Sequence, residues 1–211
     1  MQAQNIINSD KLIHTKVSKK IVNIGCGKTR IPGSIGVDRV MIEQYVDIVH
    51  DLNKVPYPFK DKSIDEIHSY HTLEHLQEPI KKMEELYRIL KPGGLLHIRV
   101  PHFSSMGAFS DITHVRPFGY GSFDCFVKDE YQHFYTSAEF QILKKQIKYF
   151  GLYPNSGSYE KYIHQNQCVW YARPFVRAMN ALINFSPGFF ERIWCYWVGG
   201  ACEVVVDLQK I

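Results

Sequence analysis

Residues 71–75, HTLEH, have the spacing H-x-x-E-H that carries two metal ligands and a general base in one class of zinc peptidase. On a helix, His71 and His75 would lie one turn apart on the same face, as two zinc ligands require. A peptidase also needs a downstream carboxylate as third ligand on a helical scaffold. The available acids do not lie in an evident long helix; they are Glu130, Glu139 and Glu160. The role of the motif therefore depends on its neighbours.

A second set of residues that could do chemistry follows three short apolar runs. Gly25 and Gly27 come after the first run, where a turn would let a ligand approach the backbone closely. Asp38 ends the second run, where a carboxylate can accept both hydroxyls of a ribose, and Asp51 ends the third, placed for an exocyclic amine. This set fits an adenosine-containing ligand. The alternative is that the two acids only cap turns.

The elements that position these residues alternate between strand and helix. A helix is predicted from Pro79 to about Leu90, because Ile80, Met83 and Leu86 recur at helical spacing before Pro92–Gly93–Gly94. Alternation of this kind predicts a parallel sheet that binds ligands at the carboxyl ends of its strands. The predicted strands are 21–24, 35–40, 45–52, 63–70, 94–103, 138–151 and 201–211, and a further helix is predicted over 174–185.

Composition and charge narrow the function classes. A chain of 211 residues with 45% hydrophobic residues fits one domain, and the net charge of +4 is spread over scattered lysine pairs, so no nucleic acid is expected as partner. Five cysteines without a C-x-x-C pair suit a reducing compartment. The first residues have no apolar core of a secretory signal and no segment is long enough to span a membrane. We expect a cytoplasmic protein.

The chain resembles the class I S-adenosylmethionine-dependent methyltransferases, in particular the small type 11 group. The resemblance rests on NIGCGK (23–28), IGVDRV (35–40), the block from His50 to Leu76 and ELYRILKPGGLLHIRVPH (85–102). It implies an α/β, Rossmann-like fold with a mostly parallel seven-stranded sheet, an antiparallel strand at one edge and helices on both faces. One domain over 1–211 would have a cofactor-binding half at 20–102 and acceptor-side loops and C-terminal strands at 103–211.

The resemblance also implies S-adenosylmethionine as methyl donor and assigns its contacts. Gly25, Cys26 and Gly27 would face the methionine part, Asp38 would hold the ribose, and Asp51 and the amide of Leu52 the adenine. Tyr70 and His71 would form the loop beneath the sulfonium, and Arg39 is a further predicted donor contact. Asn23 stands where the family usually has an acid near the ammonium group, and Thr29 where a third glycine is frequent. The stretch between Gly27 and Ile35 is too short for a full helix and is expected to be a loop.

In the resembled family the sequence L-E-H-L occurs at the position of residues 73–76 without a metal. We therefore expect Glu74 and His75 to anchor the local helix, and we expect no metal. Transfer to an oxygen or nitrogen acceptor benefits from a base near neutrality. The predicted base is His114 or His102, with Asp111 orienting it.

We expect a small-molecule or saccharide acceptor and allow for a homodimer. The aromatic segments 116–126 and 183–200 are expected to wall the acceptor pocket and pack the core, with a dimer or membrane-surface patch as the alternative. A silent adenosyl-nucleotide-binding module and an NAD-dependent oxidoreductase remain alternative functions.

Overall fold

The computed structural model describes residues 19–128, 130, 133–149 and 173–211. The N-terminal segment, Glu160 and one of the five cysteines, Cys168, lie outside these ranges.

Seven strands form one mixed sheet in the order β3-β2-β1-β4-β5-β7-β6. The first five pair in parallel, and β7 runs antiparallel to both β5 and β6 at one end of the sheet. This confirms the predicted Rossmann-like fold. The strands are β1 Ile21–Ile24, β2 Ser34–Asp38, β3 Ile48–Val49, β4 Ile64–Tyr70, β5 Leu90–Pro101, β6 Phe140–Lys148 and β7 Glu203–Lys210.

The helices of the described residues lie in the connections between these strands. The helix predicted at Pro79 is confirmed and ends at Ile89, and the helix predicted over 174–185 is confirmed with one more residue at its start. The helices are α1 Pro79–Ile89, α2 Met106–Ser110, α3 Arg173–Phe185, α4 Pro187–Phe189 and α5 Cys195–Trp197, with a π-helical turn at Phe190–Trp194 and 3-10 turns at Leu73–His75, Asp124–Phe126 and His133–Tyr135.

The core lies on one face of the sheet. Alternate residues of β5, namely Leu96, Ile98 and Val100, are fully buried there, and α1 packs its apolar side into the same cluster. The residues between them on β5, His97 and Arg99, project from the opposite face because successive side chains alternate along a strand. One face of the central strands is therefore apolar and the other is polar.

The loops around the carboxyl ends differ from regular crossovers. The expected loop after Gly27 is confirmed, because residues 25–33 form turns and no helix. The third strand is shorter than the predicted 45–52. The amides of Tyr45 and Val46 both bond to the carbonyl of Ile42, and this turn holds them out of the ladder.

The two aromatic segments have different places. Phe118, Phe123 and Phe126 are buried in the main core, so the first segment packs the core as expected, and it lines neither of the two clefts at the strand ends. In the second segment Phe190 is buried, whereas Phe185 is 89% and Trp197 85% exposed. Within the described ranges, none of the helices combines the length and apolar character needed to cross a membrane.

Candidate donor and acceptor clefts

In the glycine turn after β1, Gly25 packs against a side chain and Gly27 borders open space. Gly25 and Gly27 have φ of 62° and 49°, in the left-handed region that favours glycine. A Cβ on Gly25 would come within 2.3 Å of Oγ1 of Thr72, which itself donates a hydrogen bond to the carbonyl of Ile24. A Cβ on Gly27 would meet no atom within 4 Å. The backbone at Gly27 therefore borders open space that a ligand can enter.

Asp38 fixes this turn to the end of β2. Its Oδ2 accepts a hydrogen bond of 2.8 Å from the amide of Gly27, and its Oδ1 accepts one of 2.7 Å from the amide of Arg39. Asp51 follows β3, and its Oδ1 accepts from the amide of Asn53 at 3.0 Å. Both carboxylates are thus oriented by backbone amides at the carboxyl ends of neighbouring strands.

Two adjoining clefts open at these strand ends. The smaller, of about 360 Å³, is lined by Asp38, Arg39, Asp51 and Leu52, and the larger, of about 630 Å³, by residues of the glycine turn, Tyr70 and the loop after β5. Both volumes lie in the range of small-molecule sites. Gly25, His71 and His75 line both clefts, so they mark the boundary between the two. The two acids predicted to hold the ribose and the adenine therefore share one crevice.

His71 lies on this boundary as a positively charged ring. Its Nε2 donates to Oε1 of Glu203 at 2.8 Å, and its Nδ1 lies 3.3 Å from Oε1 of Glu74. Burial alone would lower the pKa of His71, but the contacts with Glu203 and Glu74 outweigh burial and raise it to about 10. The residue also has a φ of 53°, a strained value for a side chain other than glycine. Neither carboxylate oxygen of Glu74 has a well-formed hydrogen bond among the described residues.

A chain of polar contacts runs along the boundary of the two clefts, with Asp111 and His75 lining the larger and Thr113 the smaller. The Thr113 hydroxyl lies 2.7 Å from Oδ1 of Asp111 and 2.8 Å from Nδ1 of His75. The hydroxyl has a single proton, which it donates to the carboxylate, so Nδ1 of His75 donates to the hydroxyl oxygen. Hydrogen bonds from the Thr113 hydroxyl and amide lower the pKa of Asp111. Asp111 is therefore ionised at neutral pH.

His114 lies next to this chain. Its Nδ1 donates to the carbonyl of Ala108 at 3.2 Å, since a carbonyl can only accept, and its Nε2 lies 3.9 Å from Oδ2 of Asp111. In the neutral ring Nε2 is therefore the atom able to take a proton. The His75 and His114 rings meet edge to face with centroids 4.6 Å apart.

Three of the predicted site residues are placed differently from the rest. His102 is fully buried, with Nδ1 2.7 Å from Oγ of Ser104 and Nε2 3.1 Å from Oε1 of Glu191, and it lines neither cleft. Asn23 is also buried outside both clefts, and its side-chain amide donates to the carbonyl of Thr29. Cys26 lines the larger cleft, but its thiol points to the carbonyl of Tyr45. The other predicted residues line one or both clefts.

The sequence did not single out Thr113 and Glu203 as cleft residues, and it gave His75 a different role from the one the structure shows. His75 was expected to anchor its own helix, but its hydrogen bond reaches Thr113, which is 38 residues away. Glu203 is 132 residues from His71, and no local pattern links the two. The H-x-x-E-H motif was the available signal for His75. Because His71 precedes the 3-10 turn Leu73–His75, the two histidines do not share a helix face in the peptidase manner.

Two groups of side chains could hold a metal ion among the described residues. One, made of Glu74, His75 and His114, borders the larger cleft. The other, made of Glu66, His68 and His97, lies on the polar face of the sheet away from both clefts.

The comparisons with known proteins agree with this geometry. A family model of the methyltransferase domain matches residues 22–98, which span β1 to β5 and include both acids and the glycine turn. Residues 22–98 are therefore similar to the methyltransferase domain family. No curated protein matches the chain.

Solved structures with low sequence identity share the fold of this chain. An S-adenosylmethionine-dependent methyltransferase from Archaeoglobus fulgidus is 17% identical with a TM-score of 0.54, over 92% of this chain and 87% of that one. The YcgJ protein of Bacillus subtilis is 16% identical with a TM-score of 0.51, over 91% and 92%. A complex of the Haloferax volcanii Trm112 methyltransferase activator with a methyltransferase is 15% identical with a TM-score of 0.50, over 91% of this chain and 82% of that one. At these identities the likeness concerns the fold.

Proposed function

We propose that the protein transfers the methyl group of S-adenosylmethionine to an oxygen or nitrogen atom of a small polar acceptor, such as a saccharide, with His114 as the base. The observation that carries the proposal is that two clefts meet at Gly25, His71 and His75. A donor in the smaller cleft would direct its sulfonium toward the larger one. Methyl transfer is an in-line displacement, so adjoining donor and acceptor sites are what the reaction requires.

The donor would lie along the strand ends. The carboxylate of Asp38 would accept from the ribose hydroxyls, and Asp51 from the exocyclic amine of adenine. The methionine part would lie against the backbone of Gly25 to Gly27, where a side chain at Gly27 would point into open space. Cys26 would contribute backbone only, because burial and nearby Asp38 raise the pKa of its thiol to about 11 and keep it protonated.

The acceptor would lie in the larger cleft beside His114. Its hydroxyl or amine would lose a proton to Nε2 as the carbon–oxygen or carbon–nitrogen bond forms and the bond from the methyl carbon to sulfur breaks. The ionised carboxylate of Asp111, 3.9 Å away, would stabilise the imidazolium that results. We favour His114 over His102 because His114 lines the cleft and both ring nitrogens of His102 are engaged elsewhere.

The acceptor class is inferred from the hydrogen-bonding groups of the larger cleft. Ser105, Asp111 and His114 line it together with His75 and Glu203. Such a lining suits a ligand rich in hydroxyl groups better than an apolar one. We place the reaction in a reducing cytoplasm, because the cysteines of the described ranges are free thiols.

Calorimetric titration of the protein with S-adenosylmethionine, S-adenosylhomocysteine and NAD tests the donor assignment. We expect both adenosyl compounds to bind, and Asp38→Asn to weaken them by about 10- to 100-fold, the equivalent of a lost charged hydrogen bond. Asp65→Asn, at the opposite end of β4, is the matched control and should leave binding unchanged. Binding of NAD alone would contradict the proposal.

Transfer itself is tested with labelled donor and a panel of saccharides, phenols and amines. His114→Gln should lower the rate by about 100-fold or more with donor affinity unchanged, whereas His133→Gln should not. Donor binding without turnover of any acceptor by the parent protein would favour the silent binding module.

A further inference from the structure

The polar face of the central strands carries a cluster of Glu66, His68 and His97, here called the imidazole cluster. His68 and His97 are register partners on the parallel strands β4 and β5. Glu66 precedes His68 by two residues and therefore projects from the same face. The three side chains are between 12% and 23% exposed, so solvent reaches them. None of the three lines the donor or acceptor cleft.

The potential ligand atoms of the cluster converge on one point. Oε1 of Glu66 lies 2.9 Å from Nε2 of His68 and 3.4 Å from Nε2 of His97. The two rings stack with centroids 4.8 Å apart and planes at 19°. Ligands bound to zinc at about 2.0–2.1 Å in a tetrahedron are separated by roughly 3.4 Å. The oxygen and nitrogen atoms thus already have approximately the spacing of three ligands around one ion.

The far nitrogen of each ring is held by a further residue. Nδ1 of His97 lies 2.8 Å from Oδ1 of Asp207 on β7, and Nδ1 of His68 lies 2.9 Å from the hydroxyl of Tyr70. An outer partner on the second nitrogen is typical of metal-binding histidines, because it fixes the ring and the tautomer. Both rings are therefore oriented with Nε2 toward the Glu66 carboxylate.

The nearby charges can accommodate a cation. Glu66 and Asp207 bring two carboxylates, and Lys19 lies 3.7 Å from Oε2 of Glu66 on a side chain that is 65% exposed. Arg99 stacks over the ring of Tyr70, with its guanidinium carbon 4.6 Å from the ring centroid. Its charge also acts on His68 and Asp207, and the carboxylates of Glu66 and Asp207 oppose it.

We propose that Glu66, His68 and His97 bind one divalent transition-metal ion of the zinc class. Two imidazoles and one carboxylate favour zinc, cobalt or nickel over magnesium or calcium. Three protein ligands leave the fourth position to water. The ion would join β4 to β5 on the face opposite the core and would stabilise the centre of the sheet. The site stands independently of the proposed methyl transfer.

Titration of the full chain, without a polyhistidine tag, with Co²⁺ tests the proposal. We expect one equivalent to bind with the visible d–d absorption of a four-coordinate ion, and Zn²⁺ to abolish that absorption. His68→Gln and His97→Gln should each remove the spectrum. Asp207→Asn, which changes only an outer partner, should keep the stoichiometry and weaken the affinity by about 10- to 100-fold.

Two further variants separate this cluster from other histidines. His75→Gln, in the group beside the acceptor cleft, and His133→Gln should leave the Co²⁺ spectrum unchanged. Circular dichroism and thermal unfolding without metal show whether the variants fold. Zn²⁺ should raise the melting temperature of the parent chain and not that of folded His97→Gln. No stoichiometric Co²⁺ binding, or a spectrum that is lost with His75→Gln and kept with His97→Gln, would overturn the proposal.

Discussion

Replacing His71 by glutamine should destabilise the protein through the two acids that its ring contacts. The side chains of Glu74 and Glu203 are 1% and 6% exposed, and both lie beside the imidazolium. Removing one partner of a buried ion pair costs about 3–5 kcal/mol. Because the His71 side chain is itself 35% exposed, water screens part of this interaction, and we expect about 2–3 kcal/mol.

The loss should also depend on pH. Contacts with Glu203 and Glu74 raise the pKa of His71 to about 10, above its value in the unfolded chain. Its contribution is therefore present in full below about pH 6.5 and is lost as the pH rises through the folded value. The stability difference between parent and His71→Gln should be largest near pH 6 and shrink toward pH 9.

Urea unfolding at several pH values measures both effects, with the midpoint and slope fitted separately. A double-mutant cycle with Glu203→Gln isolates the pair, and we expect a coupling energy of about 1 kcal/mol or more. Two results would refute the assignment of His71 as an imidazolium held between two carboxylates. One is that the losses in unfolding free energy of the two single variants add to that of the double variant within about 0.5 kcal/mol. The other is that the stability difference between parent and His71→Gln is the same at pH 6 and pH 9.

Two other predictions concern the glycine turn and its neighbours. Asn23→Asp introduces the acid that is usual in the resembled methyltransferases, yet it should destabilise the fold by about 1–3 kcal/mol without tightening donor binding. The reason is that a buried carboxylate would face the carbonyl of Thr29; urea unfolding measures the stability and calorimetry the donor affinity. A gain in donor affinity would contradict it. Gly27→Ala should still fold, because its Cβ points into open space and the backbone strain costs only about 1–2 kcal/mol, but it should lose donor affinity. Gly25→Ala should be more destabilising, because its Cβ would collide with the side chain of Thr72. Equal stability of the two variants by thermal unfolding would show that the close approach to Thr72 has no cost.

Local patterns in the sequence were sufficient for the framework of the site. The apolar run of β2 and the acid that ends it placed Asp38 at the cleft beside the glycine turn of β1, because parallel strands bring their carboxyl ends to one edge. The helix at Pro79 followed from its spacing and its terminating Pro-Gly-Gly. The loop after Gly27 followed from the short distance to the next strand.

What the sequence could not provide was the pairing of distant side chains. His102 looked as accessible as His114, but its place under the π-helical turn, 3.1 Å from Glu191, depends on a contact across 89 residues. The partners of His71 and His75 likewise come from β7 and from the loop after α2. The alternation of polar and apolar residues along β4 and β5 predicts that one face of these strands is polar. The convergence of His68 and His97 on Glu66, however, depends on the register of the two strands.

The central claim is that Asp38 and Asp51 hold the ribose and the adenine of the methyl donor in one crevice. A crystal structure with bound S-adenosylhomocysteine tests it most directly. We predict the Asp38 carboxylate within hydrogen-bond distance of the ribose hydroxyls, Asp51 facing the adenine amine and the sulfur directed toward His114. A ligand bound in another part of the molecule, or one that touches neither carboxylate, would contradict the account.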